Sequence, residues 1–350
     1  MIKNCNVKIQ ISLQSVVLTL ISFAIFSCSS AQSDPQSVSA VSKTRANKSV
    51  PTSNAADPLD TALYRKKFNL MLNGDSSEKW KFRGDFPLAG ALFPHHRIIA
   101  YYGNLYSTRM GILGELPKPQ MFAKLKGELE AWRKADPSTP VKPALHYIVT
   151  TAQGSPGAGG KYRLRMPNKE IDKVMAMAAE IDALVFLDIQ VGLSNLREEI
   201  PVIEKYLQLP NVHLGIDPEF SMKGGQKPGS VIGTFDAGDI NYASQYLKEL
   251  VQKNNLPPKI LVVHRFTQNM VREYKSIKKH PEVQIVMDMD GWGSPARKIN
   301  TYKLFVYGEP VQFTGFKLFY KNDLREPPHR MLTPAELLKL KPVPMYIQYQ

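Results

Sequence analysis

The chain has 350 residues, 43% hydrophobic and 22% charged, with 45 Lys and Arg against 31 Asp and Glu and a formal charge of +14. Such a length holds one large domain with a substantial core, and the basic residues are dispersed, as on a solvated surface. Its two cysteines, Cys5 and Cys28, both fall near the N-terminus. Cysteine catalysis, zinc thiolate sites and iron–sulfur clusters are therefore excluded from the folded part.

In chain order, Lys3 and Lys8 precede a largely apolar stretch, 9–26, that closes on Ile25-Phe26-Ser27-Cys28. Residues 1–27 read as a secretory signal rather than a spanning helix, being short and followed by polar sequence. The small residue before Cys28 resembles a bacterial lipobox. That resemblance implies a lipidated Cys28 carrying palmitate, a membrane anchor, and residence in the cell envelope, at the outer membrane. Residues 28–59 are Ser, Ala, Thr, Asn and Pro with scattered charge, a composition that cannot bury enough surface to order its backbone, so a flexible tether is expected. Loss of Lys3 and Lys8 takes the charge from +14 to +12. Export argues against nucleic acid as the partner of that charge and for anionic envelope polymers or lipid headgroups.

Residues 60–350 alternate short apolar runs with segments of helical period. The runs are 97–102, 144–150, 183–189, 212–216, 259–263, 283–287, 313–319 and 345–349. The helical segments are 121–134, 169–181, 195–207, 237–254, 268–279, 294–307 and 333–340. Phe122, Leu125, Leu129 and Trp132 recur at spacings of three and four, the mark of an amphipathic helix. Thr333-Pro334-Ala335-Glu336 has a cap, a first-turn proline and an acid at the third position. Continuous apolar strands separated by helices imply a parallel sheet covered on both sides. The count predicts an α/β fold, a single-domain (β/α)₈ barrel of the TIM type, with 64–93 as an N-terminal extension closing its bottom. A doubly wound open sheet is the alternative.

Barrel chemistry sits at the C-terminal ends of strands, where Tyr102, Asn104, Gln153, Asp188, Gln190, His264 and Lys317 fall. Gly215-Ile216-Asp217-Pro218-Glu219-Phe220 puts two carboxylates two apart after an apolar run. Strand alternation then aims Asp217 and Glu219 at one side. Two adjacent acids make a proton donor, because an ionised partner raises the other's pKa. Asp288-Met289-Asp290 repeats the pattern. Glu219 is expected as general acid with Asp217 as its partner, and Asp288 and Asp290 as further acids. His264 and Asp188 are expected to hold substrate, with Gln190, Lys317, Asn104 and Gln153. Tyr102 and Trp292 offer rings for stacking on a sugar. Ser155-Pro156-Gly157-Ala158-Gly159-Gly160 lacks phosphate-loop and dinucleotide patterns and reads as a rim or lid. Lys161, Arg163 and Arg165 alternate with Tyr162 and Leu164 as a short basic ribbon beside it.

The Asp-x-Glu at the end of the fourth strand resembles the motif of glycoside hydrolase families 18 and 25, (β/α)₈ barrels acting on N-acetylated sugars. The resemblance implies that Glu219 is the acid and that Asp217 orients the substrate's acetamido group, the internal nucleophile. Val212-His213-Leu214-Gly215 stands where the earlier acids of family 18 would be. Four further segments are Ala100-Tyr101-Tyr102-Gly103-Asn104, Asp217-Pro218-Glu219-Phe220, Val262-Val263-His264-Arg265-Phe266-Thr267 and Met287-Asp288-Met289-Asp290-Gly291. On these the folded part resembles an uncharacterised family of bacterial exported (β/α)₈-barrel lipoproteins. That likeness implies the fold and the site but no reaction.

The expected function is binding, and hydrolysis, of an envelope or environmental glycan without cofactor or metal. A non-catalytic envelope binding protein is one alternative. Another is a phosphoesterase in which Asp188, Asp217, Glu219, Asp288 and Asp290 hold Mg²⁺ or Ca²⁺.

Overall fold

The structure, a computed structural model, describes residues 58–350. The expected signal peptide, the lipidated Cys28 and nearly all of the tether lie outside the described residues. No described helix is long and apolar enough to cross a membrane.

Eight strands form the barrel: β1 (Arg97–Gly103), β2 (Val141–Ala152), β3 (Leu184–Ile189), β4 (Val212–Ile216), β5 (Lys259–Arg265), β6 (Val283–Met289), β7 (Phe313–Leu318) and β8 (Tyr346–Tyr349). Each pairs in parallel with the next. The sheet closes when β8 pairs with β1, Ile98 opposite Tyr346 and Tyr101 opposite Tyr349. The expected (β/α)₈ barrel is the fold, and the open sheet is ruled out.

Alternation divides every strand between two cores. The outward side chains meet the helices α2 (Lys118–Ala135), α3 (Asn168–Glu180) and α4 (Ala237–Asn254), through Trp132, Val174 and Leu247 among others. The inward side chains form a second cluster containing Ile98, Ala100, Ala144, Phe186, Ile260, Val262, Val286 and Phe313. Helix α1 (Thr61–Met71) joins this inner cluster with Tyr64, Phe68 and Met71, beside Phe93. Each such side chain stabilises the fold by about 1.5–3 kcal/mol when fully buried. Gln284 fixes the Phe93 backbone from within the barrel, accepting its N–H at 3.0 Å and donating to its carbonyl at 2.8 Å. The bottom half of the barrel is thus filled, mostly by apolar side chains, and the charged side chains gather above it.

Several expected helices are modified for local reasons. Segment 195–207 breaks at Pro201 into Leu196–Glu199, the 3₁₀ turn Ile200–Ile203 and Glu204–Leu207, because proline has no N–H for the helical ladder. Segment 294–307 starts as α5 (Pro295–Thr301) and continues as the π-helix Tyr302–Tyr307. The Thr333–Glu336 capping box forms, but its helix covers only Pro334–Leu337. Segment 268–279 is not a helix. Its 3₁₀ turns flank Val271–Arg272, which pairs with Phe235–Asp236, and Glu273 is left-handed at φ 56°. The buried Arg265 guanidinium donates to the carbonyls of Thr267, Gln268 and Val271, which holds these residues in a loop.

The basic ribbon is real as backbone. Arg163–Arg165 pairs antiparallel with the end of β2. Its arginines are spoken for, since Arg163 and Arg165 both clamp the buried Glu199 at 2.8 and 2.7 Å.

Candidate active site

A polar layer crosses the barrel above the apolar one, and two glycines make room for it. A Cβ at Gly215 on β4 would lie 2.4 Å from both Asp188 Oδ1 and His146 Nε2. A Cβ at Gly315 on β7 would lie 2.5 Å from Asp288 Oδ1. Both clash distances require glycine at these inward positions.

The layer has a buried lower tier. Asp188 Oδ1 lies 3.3 Å from His146 Nε2 and 3.3 Å from His264 Nε2. His264 Nδ1 faces Asp290 Oδ2 at 3.1 Å and Asp288 Oδ2 at 3.4 Å. His146 Nδ1 contacts the Tyr346 hydroxyl at 2.5 Å and the Gln348 amide at 3.1 Å. All of these side chains are buried.

The upper tier opens on a cavity of about 560 Å³ at the C-terminal mouth, lined by Tyr102, Gln190, Asp217, Glu219, Asp290, Trp292 and Lys317, with Phe266 and Arg297 at its sides. Ladder hydrogen bonds continue one residue past the strands and set three of these groups: Gln190 N–H to Thr150 O, Asp217 N–H to Ile189 O, and Asp290 N–H to Arg265 O. Tyr102 joins the tiers, donating to Asp188 Oδ2 at 3.0 Å. Gln190 donates to the Tyr102 hydroxyl and to Asp217 Oδ2, at 3.4 and 3.3 Å. Lys317 Nζ pairs with Asp290 Oδ1 at 2.9 Å and lies 3.8 Å from the centre of the Tyr102 ring.

The two acids of the Asp-x-Glu meet by a different route from the one the spacing predicts. β4 ends at Ile216, and Pro218–Phe220 is a 3₁₀ turn capped by Asp217, whose Oδ1 accepts the Glu219 N–H at 3.0 Å. The expectation that strand alternation aligns the pair is therefore corrected: the chain has already left the strand, and the turn carries Glu219 to the cavity wall.

Burial sets the electrostatics. It pushes the Glu219 carboxyl up to about 7, with repulsion from Asp290 added and Lys317 and His264 opposing. It also raises Asp217 well above the carboxylate range; His264 opposes that shift, while Glu219, Asp188 and Asp290 reinforce it. Burial would raise Asp290 too, but Lys317 and His264 hold it below its usual value. Asp188 is likewise ionised, its burial outweighed by the imidazoles of His264 and His146. His264 titrates well above the ordinary histidine range, because Asp188 and Asp290 overcome its burial. Asp288 is raised by burial despite His264. His146 is lowered to about 4 by burial, against the pull of Asp188. The mouth thus sets Glu219 and Asp217, whose carboxyls are biased toward the protonated form, beside a lysine-paired Asp290 biased toward the ionised one.

The other expected groups separate by depth. Asp188, Asp288 and His264 lie in the lower tier and do not line the cavity. Asn104 is consumed by its own loop: its amide donates to Ile148 O at 2.8 Å and its oxygen accepts the Tyr106 N–H at 2.7 Å. It is a structural residue, not a cavity residue. Gln153 also lies off the cavity lining, its backbone N–H given to Tyr162 O in the turn before the ribbon. Trp292 is 42% exposed on the rim, with the Arg325 guanidinium 5.6 Å from its ring centre. Sequence reasoning missed His146, Tyr346 and Gln348. Tyr346 and Gln348 are two apart on β8, and His146 is a polar residue inside an apolar run, which was the available signal. Among the described residues, the donor atoms that lie within 4.8 Å of one another belong to His146, Asp188 and His264, so of the five expected carboxylates only Asp188 is in that group.

No protein-family profile matches the chain, and no curated protein matches it. Among solved structures, it is similar to the spore coat polysaccharide biosynthesis protein SpsE of Bacillus subtilis, at 12% identity and a TM-score of 0.37, over 73% of this chain and 59% of that one. It is also similar to the mannanase Man26 of Bacillus subtilis, at 11% identity and a TM-score of 0.36, over 73% of this chain and 79% of that one. The chain thus spans 59% of the length of the first of these, and neither likeness bears on its chemistry.

Proposed function

We propose that the protein binds a glycan in the mouth of the barrel and hydrolyses a glycosidic bond, with Glu219 as the general acid. The observation that carries this is the Glu219 carboxyl on the cavity wall, pushed up to about 7. A carboxyl raised that far keeps its proton in a large share of molecules near neutrality and can deliver it to a leaving oxygen.

On this reading the remaining groups have separate tasks. Asp217 fixes the turn bearing Glu219 and, on an N-acetylated sugar, orients the acetamido oxygen that attacks the anomeric carbon. Asp290, ionised beside Lys317, stabilises positive charge developing on the sugar ring. Tyr102 and Trp292 take the apolar sugar faces, and Gln190 binds a hydroxyl. Asp188, His264 and Asp288 hold this floor from beneath. The domain would act in the cell envelope, tethered to the outer membrane through lipidated Cys28.

The test is an incubation of the wild type and Glu219→Gln with peptidoglycan and a polysaccharide panel, with fragments read by mass spectrometry. Fragments are expected from the wild type alone. Release by neither, on a panel that control enzymes digest, overturns hydrolysis and leaves a binding protein.

A further inference from the structure

The lower tier has more polar atoms than it has hydrogen bonds. His146, Asp188 and His264 are each 0% exposed. His146 Nε2, Asp188 Oδ1 and His264 Nε2 have no hydrogen-bond partner of good geometry. Orphaned groups at such depth are costly, and their presence calls for a ligand. We propose that these three side chains form a site for a divalent transition-metal ion of the zinc class.

The geometry fits that ligand. Both imidazole nitrogens lie 3.3 Å from the same Asp188 oxygen. Donors bound at about 2.0–2.1 Å around a tetrahedral ion stand roughly 3.3–3.4 Å apart, so the two edges are already those of a coordination shell. The far side of His146 is held as metal-bound imidazoles usually are, by a group that fixes ring orientation: the Tyr346 hydroxyl lies 2.5 Å from its Nδ1. His264 Nδ1 has the Asp290 carboxylate at 3.1 Å, as a charge neighbour and not a well-aligned hydrogen bond. Tyr102 holds the second Asp188 oxygen at 3.0 Å. The space is also kept open: the point that a Cβ on residue 215 would take, 2.4 Å from two of the three donor atoms, is left free by glycine.

Two imidazoles and one carboxylate select zinc, cobalt or a neighbouring transition ion over Mg²⁺ and Ca²⁺, which prefer oxygen ligands. The site lies one tier below the cavity and does not depend on Glu219 being an acid. Its effect on the mouth would pass through Asp188 to Tyr102.

The experiment strips the full chain with a chelator and titrates it with Co²⁺, with Mg²⁺ and Ca²⁺ as controls. One equivalent of Co²⁺ is expected to give a visible d–d absorption and a higher Tm, with one equivalent of Zn²⁺ displacing it and the controls giving neither. His146→Gln and His264→Gln are expected to lose the absorption, and Asp217→Asn to keep it. Tyr346→Phe leaves all three donors and is expected to weaken binding about 10–100-fold through lost orientation of His146. Absorption that survives both histidine substitutions places the ion elsewhere and overturns the site. So does a wild type that takes up no Co²⁺ or Zn²⁺, a result that holds even if a variant fails to fold.

Discussion

Asp217 Oδ1 accepts the backbone N–H of Glu219 at 3.0 Å, so one acid caps the turn that carries the other. The cap explains how the two groups are coupled without facing each other across a strand. Asp217→Ala removes the acceptor and frees the turn. Asp217→Asn keeps an acceptor oxygen at the same place. Glycan cleavage is expected to fall about 10²-fold in the alanine variant and distinctly less in the asparagine variant, mainly in kcat. Equal losses in both would mean that the carboxyl group itself, and not the cap, is what matters.

The raised Glu219 carboxyl gives two pH dependences of the same sign. The acid form is the working form, so kcat/KM is expected to fall as pH rises through about 7. Stability follows. The folded protein binds this proton more tightly than the unfolded chain, so the contribution is complete below the unfolded value of 4.5 and is lost as pH rises toward 7. The loss is about 3 kcal/mol at most. Denaturant midpoints for Glu219→Gln should therefore rise relative to wild type at pH 8 and match it at pH 4. A midpoint difference that does not change with pH would show an unshifted carboxyl.

How much of this was legible in the sequence depends on the direction of each side chain. The barrel was legible because fully buried parallel strands read as unbroken apolar runs, and eight of them alternated with helical segments. The polar ends at Asp188, Asp290 and Lys317 were legible because a charge next to such a run has few places to go. His146 was not, because the rule applied was a polar residue at a strand end, and β2 runs 12 residues, Val141–Ala152. Its third inward residue, His146, falls in the polar tier although it sits in mid-strand. Gly215 and Gly315 carried the missing signal: glycine inside a strand marks a close approach, here by Asp188 with His146 and by Asp288. The 3₁₀ turn at Glu219 was foreshadowed by Pro218, which cannot donate to a ladder. Asn104 was misplaced for the opposite reason, since a polar residue after a strand often serves its own loop.

The Lys317–Asp290 pair is buried, so its halves are not interchangeable with nothing. Lys317→Met leaves the Asp290 carboxylate at the mouth without its ammonium. The expected cost is about 3–5 kcal/mol, with the Lys317→Met/Asp290→Asn double variant recovering much of it. Chemical denaturation of the four proteins closes the cycle. Additive losses would mean that the pair contributes no coupling.

Gly315→Ala tests the room made for the polar tier. Its Cβ would meet Asp288 Oδ1 at 2.5 Å, Val286 Cγ1 at 3.0 Å and Tyr346 Cδ1 at 3.1 Å. Strand and barrel wall leave little freedom to move, so a loss of about 1–3 kcal/mol is expected. Thermal unfolding reads it directly, and an unchanged Tm would show that the tier can give way.

The most direct test of the central claim is cleavage in water enriched in ¹⁸O. The substrate is whichever polysaccharide of the panel the wild type degrades, and the variant is Glu219→Gln. Hydrolysis with Glu219 as the acid predicts fragments whose new reducing ends each carry one ¹⁸O with the wild type, and none with the variant although it still binds. Equal labelled release by both proteins, or no release by the wild type from any glycan, would contradict it.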